Sequence, residues 1–181
     1  MAVVIGIDAD TRRLAYSCVS DGVVTAVREF GRQTARGYMV PDYDQRLTSL
    51  MRSAQVAGAV VYLEDTYLAS GEQRNVVAFR ALAEVGGEIK RAARQHGVPV
   101  VMVSASEWRS VTLGQTCDRE RLKLLARQRA VTWAANAMAS QDVTELSEHE
   151  CEAVCIGQFG AEREGDSWRM TPAEHDGRVN A

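Results

Sequence analysis

The chain has 181 residues, of which 46% are hydrophobic and 25% charged. That balance excludes a fibrous or largely disordered protein and fits one domain with a sizeable core. No apolar run is long enough to span a bilayer, and the apolar start lacks the basic n-region of a signal peptide, so the expectation is a cytoplasmic protein without a membrane partner. The net charge of −3 hides an asymmetry: residues 142–181 hold ten acids against three arginines, leaving 18 basic and 14 acidic residues in 1–141. A positive body with an acidic end is compatible with a phosphate-backbone partner and does not require one.

In chain order, Val3-Val4-Ile5-Gly6-Ile7 reads as a buried strand running into Asp8. Leu14 to Ser20 and Val23 to Phe30 are two further strands, joined at Ser20-Asp21-Gly22 by an Asp-Gly hairpin signal. Asp42 is placed to cap a helix bearing Leu47, Leu50, Met51 and Ala54 on one stripe and ending before Gly58. Ala59 to Leu63 is the fourth strand, and it too ends on an acid, Glu64.

After a connection at 66–72, a long helix spans roughly Arg74 to His96, with Val76, Phe79, Leu82, Ala83, Ile89 and Ala93 expected to face inward. Gly86-Gly87 inside it costs about 1 kcal/mol per residue relative to Ala and suggests close packing, against a second subunit or against the sheet. Pro99 to Val103 is the fifth strand. Asp118 opens a helix to about Ala139 with Leu122, Leu125, Ala126, Ala130, Trp133 and Ala137 as its apolar stripe. Ser147 opens the last helix, with Glu150 three residues on completing a capping box. The expected domain is 1–160, and 161–181 reads as an acidic, poorly ordered tail. Cys18, Cys117, Cys151 and Cys155 form no CxxC pair and read as reduced; the four-residue spacing of Cys151 and Cys155 favours packing over zinc.

This order describes an α/β fold, a five-stranded mixed sheet flanked by helices. If the first and fourth strands pair in parallel through a right-handed crossover, Asp8 and Glu64 become neighbours. On the last helix His149, Glu152, Ala153, Ile156 and Phe159 share one stripe, so His149 and Glu152 lie on the inward face of its first turn. Asp8 alone is an ordinary strand-end cap and His149 alone an ordinary interior histidine. Together with Glu64 and Glu152 they read as an oxygen-rich cage for Mg²⁺ or Mn²⁺, because crowded carboxylates without a cation repel one another. Two such ions typically support phosphodiester hydrolysis.

Gly6-Ile7-Asp8, then Leu63-Glu64, then His149-Glu150-Cys151-Glu152-Ala153 resemble the RuvC-type Holliday junction resolvases of the RNase H-like superfamily. The resemblance covers most of residues 3–159, including the long glycine-containing helix and Ser106-Glu107-Trp108-Arg109 with Leu113-Gly114. It implies a homodimeric, Mg²⁺-dependent endonuclease that nicks branched DNA, a four-way junction, symmetrically. By the same resemblance Asp8, Glu64, His149 and Glu152 are the catalytic metal ligands, and Tyr67 is an aromatic at the junction centre. Ala9 and Glu152 depart from the family pattern, Glu152 being one methylene longer than the usual Asp. DNA-binding candidates are Tyr67, Arg74, Arg109, Arg119, Arg121 and Lys123, the basic ones also reading as a solvated helix face. Two other readings stand beside this one: a catalytically inactive junction-binding protein of the same fold, and half of an actin or sugar-kinase ATPase. The second needs a phosphate loop beside Asp8 and a duplicated domain.

Overall fold

The computed structural model describes residues 2–65, 76–114, 118–135 and 145–167. Strands β1 (Val3–Ala9), β2 (Arg13–Ser20) and β3 (Val23–Gly31) are followed by α1 (Tyr43–Ala57), β4 (Val60–Glu64), α2 (Val76–Gln95) and β5 (Val100–Val103). Helices α3 (Ala105–Leu113), α4 (Arg119–Ala135) and α5 (Glu148–Ser167) complete the order. The sheet runs β3-β2-β1-β4-β5, antiparallel on the hairpin side and parallel from β1 to β5. Asp21 and Gly22 both adopt positive φ, at 49° and 79°, as the primed two-residue turn between β2 and β3 requires. Among the described residues no helix is long and apolar enough to cross a membrane.

Alternation along the strands divides the core into two layers. Ile5 and Ile7 of β1 and Val61 and Leu63 of β4 face α1 and α2, where they pack with Leu47, Met51, Val85 and Ile89. Val4 and Tyr62 face the other way, towards Trp108 of α3, Ala126 and Ala130 of α4, and Val154 and Ile156 of α5. The period of two that buries these residues also sends Gly6 and Asp8, and then Glu64, to the α5 side. Helix α5 lies directly on β1. A Cβ on Gly6 would stand 2.6 Å from the Gly157 Cα, so the two backbones touch. Ser17 of β2, fully buried, donates its hydroxyl to the Ala153 carbonyl at 2.8 Å and fixes the helix from the neighbouring strand.

Several sequence expectations change. Asp42 precedes α1 but makes no side-chain cap bond; it pairs instead with Arg46 at 2.6 Å, one turn on. In α2 the residues that enter the core are Val85, Ile89, Ala92 and Ala93, whereas Val76 and Ala83 of the expected stripe are exposed. The reason is length: 20 residues of helix run about 30 Å, while a five-residue strand such as β4 runs only about 17 Å. Only the C-terminal half of α2 can lie over the sheet. Gly86 and Gly87 are not sites of close packing among the described residues, where a Cβ on either would meet nothing within 4 Å.

The expected domain boundary at 160 falls inside α5, which continues to Ser167. Ala161 packs against the core, and Glu164 Oε1 accepts a hydrogen bond from the Tyr62 hydroxyl at 2.8 Å. The remainder of the acidic tail, 168–181, lies outside the described residues. Cys151 and Cys155 are buried in the layer between α4 and α5, where burial pushes both thiols up from their ordinary pKa.

Candidate metal and nucleic-acid site

Parallel pairing of β1 and β4 sets Ile7 opposite Leu63. The next residue on each strand is an acid, so Asp8 and Glu64 arrive together at the carboxyl ends of adjacent parallel strands, where α/β folds ordinarily place their sites. The third acid comes from α5. Ser147 and Glu150 form a reciprocal capping box, with Glu150 N–H donating to Ser147 Oγ at 3.1 Å and Ser147 N–H donating to Glu150 Oε2 at 2.9 Å. That box, together with the Ser147 hydroxyl donating to Glu29 of β3 at 2.7 Å, fixes where α5 begins. The first turn of α5 then brings His149 and Glu152 to the strand ends.

Asp8, Glu64 and Glu152 each offer an oxygen, and these oxygens lie within 4.8 Å of one another. Burial, and then the nearby Asp8 carboxylate, raise the Glu64 pKa. The same two causes, in the same order, with Glu64 adding to them, push Glu152 up to about 7. Crowded, desolvated carboxylates of this kind are stabilised by a divalent cation, and an all-oxygen donor set suits a hard ion such as Mg²⁺ or Mn²⁺. The residues present therefore fit the metal that the sequence implies.

His149 is in the site but outside the three-acid group. Its Nδ1 lies 2.6 Å from Asp8 Oδ2 and its Nε2 lies 3.3 Å from Asp10 Oδ2. The hydrogen bond to Asp8 is the main reason its pKa rises from 6.5 to about 9, so the imidazolium donates to Asp8. Asp10 is a site residue that sequence reasoning missed. Its Oδ1 accepts from the Arg12 and Arg13 amides at 2.6 and 2.7 Å, which builds the turn after β1 and aims Oδ2 at His149. An Asp two residues from another reads only as turn chemistry in the sequence.

Helix α3 closes the site from the β5 side. Ser104 caps it, accepting from the Glu107 amide at 3.2 Å. The Trp108 indole N–H donates to Glu64 Oε2 at 2.8 Å, and Arg109 Nη2 lies 3.5 Å from Glu152 Oε1. Arg109 Nε is buried with no partner among the described residues. Asp8, Glu64, Glu152 and His149 line a small cavity of about 150 Å³ together with Arg109, Arg119, Lys123 and Glu148. Lys123 reaches Glu148 at 3.0 Å and Glu120 at 3.7 Å. Arg121 does not join them; it lies with Leu124, Leu125 and Gln128 on another groove of α4. Tyr67 and Arg74 lie outside the described residues. The cavity is smaller than the roughly 300 Å³ at which small-molecule pockets begin, which disfavours a nucleotide bound there. A larger groove, about 720 Å³, lies between α1 and the β1-β2-β3 face and, among the described residues, lacks such an acid cluster.

No family model matches the sequence, and no curated protein matches it. Solved structures do. RuvC of Thermus thermophilus in complex with a Holliday junction substrate superposes with a TM-score of 0.63 at 17% identity, covering 91% of this chain and 97% of that one. A second Thermus thermophilus RuvC structure gives 0.60 at 15% identity, with 90% and 96% covered. The Fowlpox virus resolvase, in complex with Holliday junction DNA, gives 0.56 at 9% identity, covering 90% and 98%. The chain thus shares the RNase H-like fold of these structures over about 90% of its length.

Proposed function

We propose that this protein is a divalent-metal-dependent endonuclease that cleaves four-way DNA junctions by paired, symmetric nicks. The observation that carries the reading is the meeting of Asp8, Glu64 and Glu152 at the ends of β1, β4 and the start of α5, on a fold shared with two kinds of junction resolvase. When bound, a divalent cation, Mg²⁺ by this reading, supplies activation of water and stabilisation of the leaving oxygen in phosphodiester hydrolysis. Asp8, Glu64 and Glu152 would hold it. His149 stands beside Asp8 and would trade its present hydrogen bond for the cation to become a fourth ligand.

The surrounding charge fits the substrate. Arg109, Arg119 and Lys123 rim the acidic cavity, so that a phosphate brought to the carboxylates meets cations within reach. Arg121, on its separate groove, is assigned to a DNA contact away from the carboxylates, and Tyr67 and Arg74 remain DNA-contact candidates by the sequence resemblance, Tyr67 at the junction centre. A second copy of the chain fits the exposed side of α2, where, among the described residues, Val76 and Val77 in its first turn are 50% and 82% exposed and Gly86 and Gly87 further along leave room for a close partner. Two sites related by a dyad would account for symmetric cutting.

The test is incubation with a synthetic four-way junction and Mg²⁺, with linear duplex as control. Paired nicks in the junction arms with the duplex intact are expected. Tight junction binding without cleavage at any Mg²⁺ or Mn²⁺ concentration would replace this reading by that of a junction-binding protein. Failure to prefer the junction over duplex would end both.

A further inference from the structure

Trp108 is fully buried in α3, and its single polar atom is committed to the site. A buried indole N–H needs an acceptor and ordinarily finds a backbone carbonyl or water. Here it donates to Oε2 of Glu64 at 2.8 Å. The ring is held on its other side by Arg109, whose guanidinium carbon stands 4.9 Å from the ring centroid while its Nη2 reaches towards Glu152. The helix itself is anchored by the Ser104 cap and by Arg163 of α5, which donates to Glu107 Oε1 at 2.8 Å. The indole is therefore a fixed donor.

We infer that Trp108 is a positioning residue that reserves one oxygen of Glu64, so that Glu64 meets a cation through Oε1 alone and the site favours small octahedral ions, Mg²⁺ and Mn²⁺, over Ca²⁺. The inference rests on the metal-site reading above and adds the selectivity of that site. Ca²⁺ accepts about six to eight oxygens in a flexible shell, with a carboxylate able to give it both at about 2.3–2.6 Å, whereas Mg²⁺ demands a near-ideal octahedron of about six at about 2.0–2.1 Å. A carboxylate with one oxygen held outside the coordination sphere suits the smaller ion. Partners of this outer kind typically change metal affinity by about 10–100-fold when removed.

Calorimetric titration of the full chain with Mn²⁺ and with Ca²⁺, for wild type and Trp108→Phe, tests this without reference to cleavage. Phe keeps most of the buried ring and deletes the donor. The expected result is about tenfold weaker Mn²⁺ binding, with Ca²⁺ binding held or strengthened, so that the preference between the ions narrows at least about tenfold. Equal loss for both ions would reduce Trp108 to a packing residue and overturn the inference while leaving the metal site intact. Absence of binding by the wild type would overturn the metal reading and this inference with it. Should Trp108→Phe fail to fold, Trp133→Phe with Trp168→Phe leaves Trp108 as the only indole. Its ¹⁵N–¹H resonance is expected to stay protected from exchange as Mg²⁺ is added. An N–H released to solvent once Mg²⁺ is bound would overturn the inference.

Discussion

Gly6 of β1 and Gly157 of α5 are in backbone contact: a Cβ on Gly6 would fall 2.6 Å from the Gly157 Cα, and one on Gly157 would fall 2.9 Å from Val19 Cγ2. Two residues beyond Gly6 stands Asp8, and just over one turn before Gly157 stands Glu152. The absence of two side chains thus sets how closely the third carboxylate approaches the first. Gly6→Ala is expected to force helix and strand apart, at a cost of about 1–3 kcal/mol or more, because the clash is with backbone and not with a flexible side chain. Thermal melts should show the loss, and Mn²⁺ affinity should fall with it. An unchanged melt would mean that α5 can shift freely on the sheet.

A substitution at the first acid separates chemistry from binding. Asp8→Asn keeps size and removes a ligand charge, so cleavage of a four-way junction should drop by more than about a hundredfold. Junction affinity should stay close to wild type, since phosphate contacts by basic side chains carry most of it. Gel-shift and cleavage assays on one preparation check both. Cleavage within a few-fold of wild type would remove Asp8 from the site.

The raised pKa values make a pH prediction with a definite sign. An acid whose folded pKa lies above its unfolded one stabilises the fold while protonated, fully below the unfolded value of 4.5, and loses that contribution as pH climbs. For Glu152 the loss is complete above about 7. His149 adds stability below 6.5 that fades as pH rises through about 9. Without metal, the melting temperature should therefore decline from weakly acid to alkaline pH. Metal binding needs the carboxylates ionised, so the stabilisation given by Mn²⁺ should grow over the same range, steepest near pH 7. A metal-induced shift independent of pH would contradict the carboxylate assignment.

Ending the chain at two places probes the C-terminal helix. After Ser167, folding and cleavage should persist, because the last described helix is complete. After Ala161, the Tyr62 hydroxyl loses Glu164 and Glu107 loses Arg163. Hydrogen bonds to charged groups contribute about 1.5–3 kcal/mol, less where water competes, so a lower melting temperature by several degrees is expected. Identical melts for the two truncations would show that the last turn of α5 adds nothing.

The parts of this site that the sequence discloses are those set by short-range pattern. Asp8 and Glu64 stand out because a buried strand that ends on an acid is costly unless something receives the charge, and the parallel register that joins them follows from handed connections. The α5 start is legible in Ser147 and Glu150, since a capping box is local. Trp108 is not: one indole on a nine-residue helix has no periodic signature, and its acceptor lies 44 positions away. The overhang of α2 is hidden because helical periodicity reports which face is apolar, not how far the sheet beneath it extends. The end of α5 reads as polar tail because Glu162-Arg163-Glu164 carries no apolar stripe, and what holds it includes two long-range polar contacts, Glu164 with Tyr62 and Arg163 with Glu107.

His149 and Glu152 share a helix turn but do different work, and paired substitutions separate them. Glu152→Gln keeps volume and hydrogen bonding while deleting a charge. It relieves the crowding with Asp8 and Glu64, so the metal-free protein should be as stable as wild type or more so, while Mn²⁺ binding and cleavage fall sharply. His149→Asp does the reverse. It removes the imidazolium that faces Asp8 and Asp10 and adds a fourth carboxylate, so the metal-free fold should be destabilised. If position 149 faces the cation, Mg²⁺ should restore that stability and cleavage should survive, because another hard oxygen is available to the ion. Melts across a Mg²⁺ series, read beside junction cleavage, decide it. A His149→Asp protein that stays unfolded at every Mg²⁺ concentration would confine His149 to bracing Asp8 and Asp10, and leave ligation to the three acids alone.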